Sequence, residues 1–233
     1  MWPQDFSTNY LFLLRWIHLL AGITWIGMLY FFNLVNVNFM KELDATTKGK
    51  VVPNLMPKAL FWFRWGAAVT VLVGFLMHMN TVSTESHPQG LAYFWIWLVV
   101  VAAAFTVGTW LLTWLKKDGR VLWGAYLVLI VIMSVVVWKI HVSANASWKV
   151  LSIALGGGMG IIMFMNVWMV IWPLQKKIIA ATKAQAEAGT APPAEMPAWA
   201  RRAFLASRTN TWLSLPMLFF MGAASHFPIG IGK

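Results

Sequence analysis

The sequence contains no cysteine and few charged residues. Charged residues make up 11% of the chain, whereas hydrophobic residues make up 60%. A soluble domain carries about 25% charged residues, so this chain has too little polar surface to cover a water-soluble globule. The absence of cysteine excludes disulfides, iron–sulfur clusters, thiolate metal ligands and covalent c-type haem attachment. The composition indicates a polytopic membrane protein.

Acidic residues are scarce, and none lies inside an apolar run. The seven carboxylates fall in predicted loops or tails: Asp5, Glu42, Asp44, Glu85, Asp118, Glu187 and Glu195. Proton pumps and ion-coupled transporters usually need a carboxylate within the membrane, so a small-molecule permease is the least favoured function. Asn166 lies inside an apolar run without an acidic partner, and we expect it to hydrogen-bond to another helix.

Six apolar runs are each near the ~20 residues needed to cross a bilayer. They predict an all-α transmembrane helix bundle with spans at roughly 11–39, 59–80, 91–115, 121–142, 149–172 and 210–228. The chain is predicted to form one membrane domain, 1–233, with a cytoplasmic linker at 174–209. Within the linker, Lys176 to Ala188 is predicted to extend a helix into water, and residues 190–197 are predicted to form a turn. No cleavable signal peptide is expected.

Lysine and arginine cluster in three segments between the spans. Residues 40–58, 116–120 and 173–209 hold 13 of the 18 basic residues. The positive-inside rule places these segments in the cytoplasm and both termini on the non-cytoplasmic side. The net charge of +11 is therefore an orientation signal that also favours anionic lipid, and no nucleic-acid binding is expected.

One glycine-rich stretch lies within the fifth apolar run. Gly156 to Gly160 lacks the Lys-Ser/Thr of a nucleotide-binding loop. Its glycines at both ends have the GxxxG spacing, which lets one membrane helix approach another closely. The stretch therefore predicts tight packing of the fifth span.

All five histidines are predicted at the non-cytoplasmic face. His18 lies near the outer end of the first span. His78, His141 and His226 lie near the outer ends of spans two, four and six, and His87 lies in the loop after span two. Neutral imidazole is a common ligand of haem iron and of copper or zinc. The four span histidines are candidate ligands of one haem or metal site, with His18 as the first expected ligand and His78, His141 and His226 as competing partners. Plain hydrogen bonding at the interface is the competing interpretation.

Three glycines lie one helical turn deeper in the membrane than three of these histidines. Positions four apart share a helix face, and the pairs are Gly22 with His18, Gly74 with His78, and Gly222 with His226. A glycine in this place would let a porphyrin edge approach the backbone. Arg15 and Lys139 are candidate partners for haem propionates, and snorkelling toward the interface is the alternative role for both.

Four stretches of the chain carry a likeness to a known family. They are RWIHLLAGITWIGMLYFF from Arg15, PKALFWFRWGAAVTVLVGF in span two, IMFMNVWMVIWPLQ from Ile162, and Asn210 to Pro228. They resemble the N-terminal membrane domain of the membrane-bound, cytochrome c-linked urate oxidase (urate hydroxylase) family. Span one also has a weaker likeness to copper-resistance D proteins and to the haem-binding membrane protoporphyrinogen oxidase.

The resemblance implies a redox function in the bacterial inner membrane. A domain of this family would pass electrons from a substrate to a separate cytochrome c or to a larger respiratory or oxidase complex. Together with the histidines it favours haem b as cofactor, with copper or no cofactor as alternatives. His18 and His226 match family histidines.

Other family histidines have no counterpart in this chain. The stretch 50–58, KVVPNLMPK, and the positions near Ala154 and Thr209 carry other residues where the family has histidine. Oxidoreductase activity therefore stays open, as do the substrate and a homo-oligomeric state. The alternative function is a non-catalytic accessory subunit of a larger membrane complex that keeps the family fold.

Overall fold

The computed structural model describes residues 5–85, 90–115 and 118–227 and contains only helices in that part of the chain. His87 is outside the described residues. The six helices are α1 (Phe6–Glu42), α2 (Ala45–Glu85), α3 (Gly90–Trp114), α4 (Gly119–Ser143), α5 (Trp148–Ala188) and α6 (Met196–His226). The predicted all-α class is confirmed.

Five of the helices, α1 to α5, are long and apolar enough to cross a membrane. α6 has 31 residues but is less apolar, because it carries the buried polar side chains of Thr209, Asn210 and Ser214 into the bundle. Many large apolar side chains point outward from the helices and are exposed. Since such surfaces are stable against hydrocarbon, the chain is a polytopic membrane protein in contact with lipid.

Three helices are longer than a bilayer requires. α1, α2 and α5 have 37, 41 and 41 residues, which at 1.5 Å per residue gives about 55–60 Å, against about 30 Å of hydrocarbon. The predicted helical extension from Lys176 to Ala188 is confirmed.

The segment 40–58, predicted as a loop, is mostly helical, since α2 begins at Ala45. Asp44 caps this start by accepting a hydrogen bond from the Thr47 backbone N–H at 3.0 Å.

A π-helical segment interrupts each of two helices: Phe31–Asn36 in α1 and Asn166–Ile171 in α5. The second begins at a buried amide pair. Asn166 Nδ2 donates to Asn210 Oδ1 at 2.8 Å, and Asn210 Nδ2 donates to the Met163 carbonyl at 2.9 Å. The predicted interhelical hydrogen bond of Asn166 is confirmed, with α6 as the partner helix.

Close packing of α5 on α6 depends on Gly156. A Cβ atom at this position would lie 3.0 Å from the backbone oxygen of Met217 and 3.2 Å from Phe220 Cβ. At Gly160, one turn further on, it would lie 4.0 Å from Met217 Cγ. The tight contact predicted from the GxxxG spacing is confirmed at the first of the two glycines.

Gly156→Ala is expected to destabilise the bundle by about 1–2 kcal/mol, because the added methyl group must displace the α6 backbone. Thermal unfolding in detergent, followed by tryptophan fluorescence, measures this as a lower midpoint. Gly124→Ala is the matched control, since a Cβ there meets nothing within 4 Å and alanine favours the helix. Equal midpoints for the two variants would contradict the packing argument.

Candidate functional site

Two of the predicted histidines are buried inside the bundle, near the C-terminal ends of α2 and α4. His78 and His141 are each 4% exposed, and His141 lies within electrostatic range of His78. His141 Nδ1 donates to the Val137 carbonyl at 2.8 Å. This hydrogen bond fixes the ring and its tautomer, which leaves the lone pair on Nε2, the atom a metal would use.

The His78 ring is enclosed by aromatic side chains from α3. The centroids of Trp97 and Phe94 lie 5.0 and 5.7 Å from that of the imidazole. Trp97 is itself held in place, because its Nε1 donates to the Ala154 carbonyl at 3.0 Å. Both ring nitrogens of His78 are buried without a hydrogen-bond partner. Such a group is costly in a folded protein, and an ion or ligand is a common way to satisfy it.

His18 lies against the same stretch of α2, from the side of α1. Its Nδ1 donates to the Thr70 carbonyl at 2.9 Å. A Cβ atom at Gly74 would lie 2.9 Å from His18 Cε1. The space beside Gly74 therefore accommodates the His18 imidazole itself. Gly74 is one helical turn from His78, so His18 packs against α2 one turn away from His78, and its donating Nδ1 leaves the lone pair on Nε2.

The remaining predicted residues do not meet at this point. His226 is exposed at the end of α6, and a Cβ at Gly222 would meet nothing within 4 Å. A Cβ at Gly22 would lie 3.8 Å from Thr70 Cγ2. Arg15 and Lys139 are both exposed. The structure thus buries both His78 and His141, places His18 beside α2, and leaves His226 at the surface.

Phe94 and Trp97 are neighbours of His78 that the pattern of histidines does not indicate. A tryptophan near a span end ordinarily marks the membrane interface, but Trp97 is 2% exposed and buried against α5. The spacing of three residues between the two aromatics puts them on one helix face, and this is the signal that could have paired them.

An ion pair joins the end of α2, beyond His78, to α5. Lys149 Nζ lies 3.0 Å from Glu85 Oε1, and the Ser147 hydroxyl donates to Glu85 Oε2 at 2.8 Å. These contacts join the C-terminal end of α2 to the start of α5. They hold the end of the helix that carries His78.

The two buried histidines offer imidazole nitrogens of the kind that bind redox metals. Within 5–85, 90–115 and 118–227, no group of three or more histidine or acidic side chains could hold a metal ion. Neutral imidazole is a common ligand of haem iron and of copper, so His78 and His141 are candidate ligands for either group.

The fold and these side chains define a class: polytopic helical membrane proteins with a buried imidazole pair near one end of the bundle. The family model described as urate oxidase N-terminal matches residues 43–233, and the chain belongs to this family. The predicted resemblance is thereby confirmed. The matched range contains His78, His141 and His226 and begins after His18. No curated protein and no solved structure matches the chain.

Proposed function

We propose that this protein is a membrane redox protein that holds its cofactor near the non-cytoplasmic surface. His78 and His141 are the ligand pair, and His18 of α1, which packs against α2, is a further candidate. The two buried imidazoles carry the proposal: His78 has two unpartnered nitrogens, and His141 has its tautomer set by a backbone carbonyl. Membership of the urate oxidase N-terminal family supports the redox role.

The cofactor of this proposal is haem b, and copper is the alternative that uses the same donors. Either would supply one-electron transfer when bound. The protein's own residues orient and shield it. The Val137 carbonyl accepts a hydrogen bond from His141 Nδ1 and fixes the direction of the ring. The rings of Phe94 and Trp97 exclude water from His78, which lowers the local dielectric constant.

The proposed acceptor of the electrons is a separate cytochrome c, or a larger respiratory or oxidase complex, in the bacterial inner membrane. The outer ends of α2 and α4 lie on the non-cytoplasmic side in the orientation that the basic segments predict. A cofactor at His78 and His141 would thus lie near the face at which a periplasmic cytochrome docks.

The test is electron transfer from the prereduced protein to oxidised cytochrome c, followed by stopped-flow absorbance. We expect transfer by the wild type and a rate at least about tenfold lower for His141→Gln, since loss of a ligand loosens the cofactor. Asn80→Ala is the control, because Asn80 is exposed on α2 two residues beyond His78. A wild type that transfers no electrons would contradict the proposal and favour the accessory-subunit role.

A further inference from the structure

A cavity of about 180 Å³ lies in the opposite half of the bundle, between α1, α2, α5 and α6. It is larger than one or two water molecules need and smaller than a pocket for a drug-sized ligand. Its walls include Phe32, Met56 and Phe63, together with Asn33 and Asn36, and no lining residue carries a charge. The space suits one small uncharged ring system.

The two asparagines at the cavity each have a side-chain oxygen that accepts no hydrogen bond. Asn33 is 3% exposed and Asn36 is 8% exposed. Asn33 Nδ2 donates to the Leu29 carbonyl and to the Ser207 hydroxyl, at 2.9 and 2.8 Å. The Oδ1 atom of each asparagine is buried and has no hydrogen-bond partner. A ligand that satisfies these oxygens must bring hydrogen-bond donors.

Both π-helical segments of the described residues border this cavity. Asn33 and Asn36 belong to the segment Phe31–Asn36, and Ile171, at the end of the segment Asn166–Ile171, is also part of the wall. Single π-helical turns are rare and occur frequently at functional sites, because they re-aim side chains. The local backbone therefore points to a site, independently of the unpartnered oxygens.

The lining decides the chemistry of the ligand. A wall without charge disfavours anions and cations, and the edge-to-face pair of Phe32 and Phe63, with ring centroids 5.3 Å apart, favours a flat aromatic ring. We propose that the cavity binds the reduced headgroup of a membrane quinol. A quinol is an uncharged aromatic diol with two O–H donors, and it is soluble in the lipid around the helices. The binding claim stands on this cavity and does not depend on the cofactor at His78.

A comparison of the reduced and oxidised forms of the ligand tests the proposal most sharply. An oxidised quinone has carbonyl acceptors only and cannot donate to Asn33 or Asn36, whereas the quinol can donate to both. Equilibrium binding of duroquinol and duroquinone to the full chain in detergent, under anaerobic conditions, should show the quinol binding about tenfold more tightly. Equal affinities, or tighter binding of the quinone, would overturn the proposal without any mutation.

Two variants test whether duroquinol binds in this cavity. Asn36→Leu should weaken duroquinol binding about five- to tenfold, because one acceptor is lost. Its thermal midpoint should stay unchanged or rise, since the variant buries no unpartnered oxygen at position 36. Asn38→Leu is the matched control: it lies on the same helix but is exposed, and it should bind as the wild type does. Wild-type affinity in Asn36→Leu would contradict the assignment.

A tailed probe distinguishes a membrane quinol from a soluble aromatic diol. Decylubiquinol carries an apolar tail, which would lie between the helices or in the surrounding lipid or detergent. It should displace duroquinol from the wild type, and Asn36→Leu should weaken both probes to a similar extent. Failure of decylubiquinol to compete would overturn the membrane source of the ligand.

Discussion

His78→Gln is expected to lose the bound cofactor. Glutamine keeps a polar side chain of similar length beside Trp97 but has no imidazole lone pair for a metal. The content of iron or copper per protein should fall at least about tenfold relative to the wild type. Metal analysis and the optical spectrum of the purified variant measure this loss, and a thermal midpoint near that of the wild type shows that the bundle is intact.

His226→Gln, measured in the same experiment, distinguishes the ligands that the structure favours from those that the sequence pattern alone allows. The sequence alone makes His226 a candidate ligand equal to His78, whereas the structure leaves it exposed at the end of α6. We expect this variant to keep its cofactor. Loss of the cofactor from His226→Gln and its retention in His78→Gln would contradict the assignment of the buried pair.

Asn210→Leu is expected to destabilise the bundle by about 2–3 kcal/mol. The change removes the acceptor of Asn166 and the donor to the Met163 carbonyl. Two buried polar groups would then lack partners in a region that water does not reach. Denaturation in mixed micelles, followed by tryptophan fluorescence, measures the change in the free energy of unfolding.

The double variant Asn166→Leu/Asn210→Leu tests whether the two amides act as a pair. Replacing both should be less destabilising than the sum of the single changes, with a coupling free energy of about 1 kcal/mol, since no amide is left without its partner. Strict additivity of the two single effects would show that the hydrogen bond contributes little.

Much of the fold could be predicted, because the membrane constrains it strongly. Apolar length alone indicates five helices of the described residues that can cross a membrane, and the extension of α5 to Ala188 follows from its alanine- and lysine-rich sequence. The helical start of α2 at Ala45 could not be predicted in the same way, since Pro53 and Pro57 both lie inside the helix and proline usually indicates a boundary. Packing of Gly49 against Ala186 of α5 accompanies this extension.

The site could be predicted only in part. The pattern of spans puts the histidines at one face of the membrane, but the rotation of each helix decides which rings meet. Rotation depends on packing, as the placement of the His18 ring beside Gly74 illustrates. The same holds for the buried state of Asn33 and Asn36, which lie in a π-helical segment that no simple periodicity indicates.

The cofactor itself is tested most directly by a reduced-minus-oxidised optical spectrum together with iron and copper analysis of the wild-type protein. The protein should be purified in mild detergent from membranes in which haem and copper are both supplied. We expect stoichiometric redox metal, with a Soret band if the metal is haem iron. A protein with no chromophore and no stoichiometric iron or copper would contradict the account and leave a membrane scaffold without redox chemistry of its own.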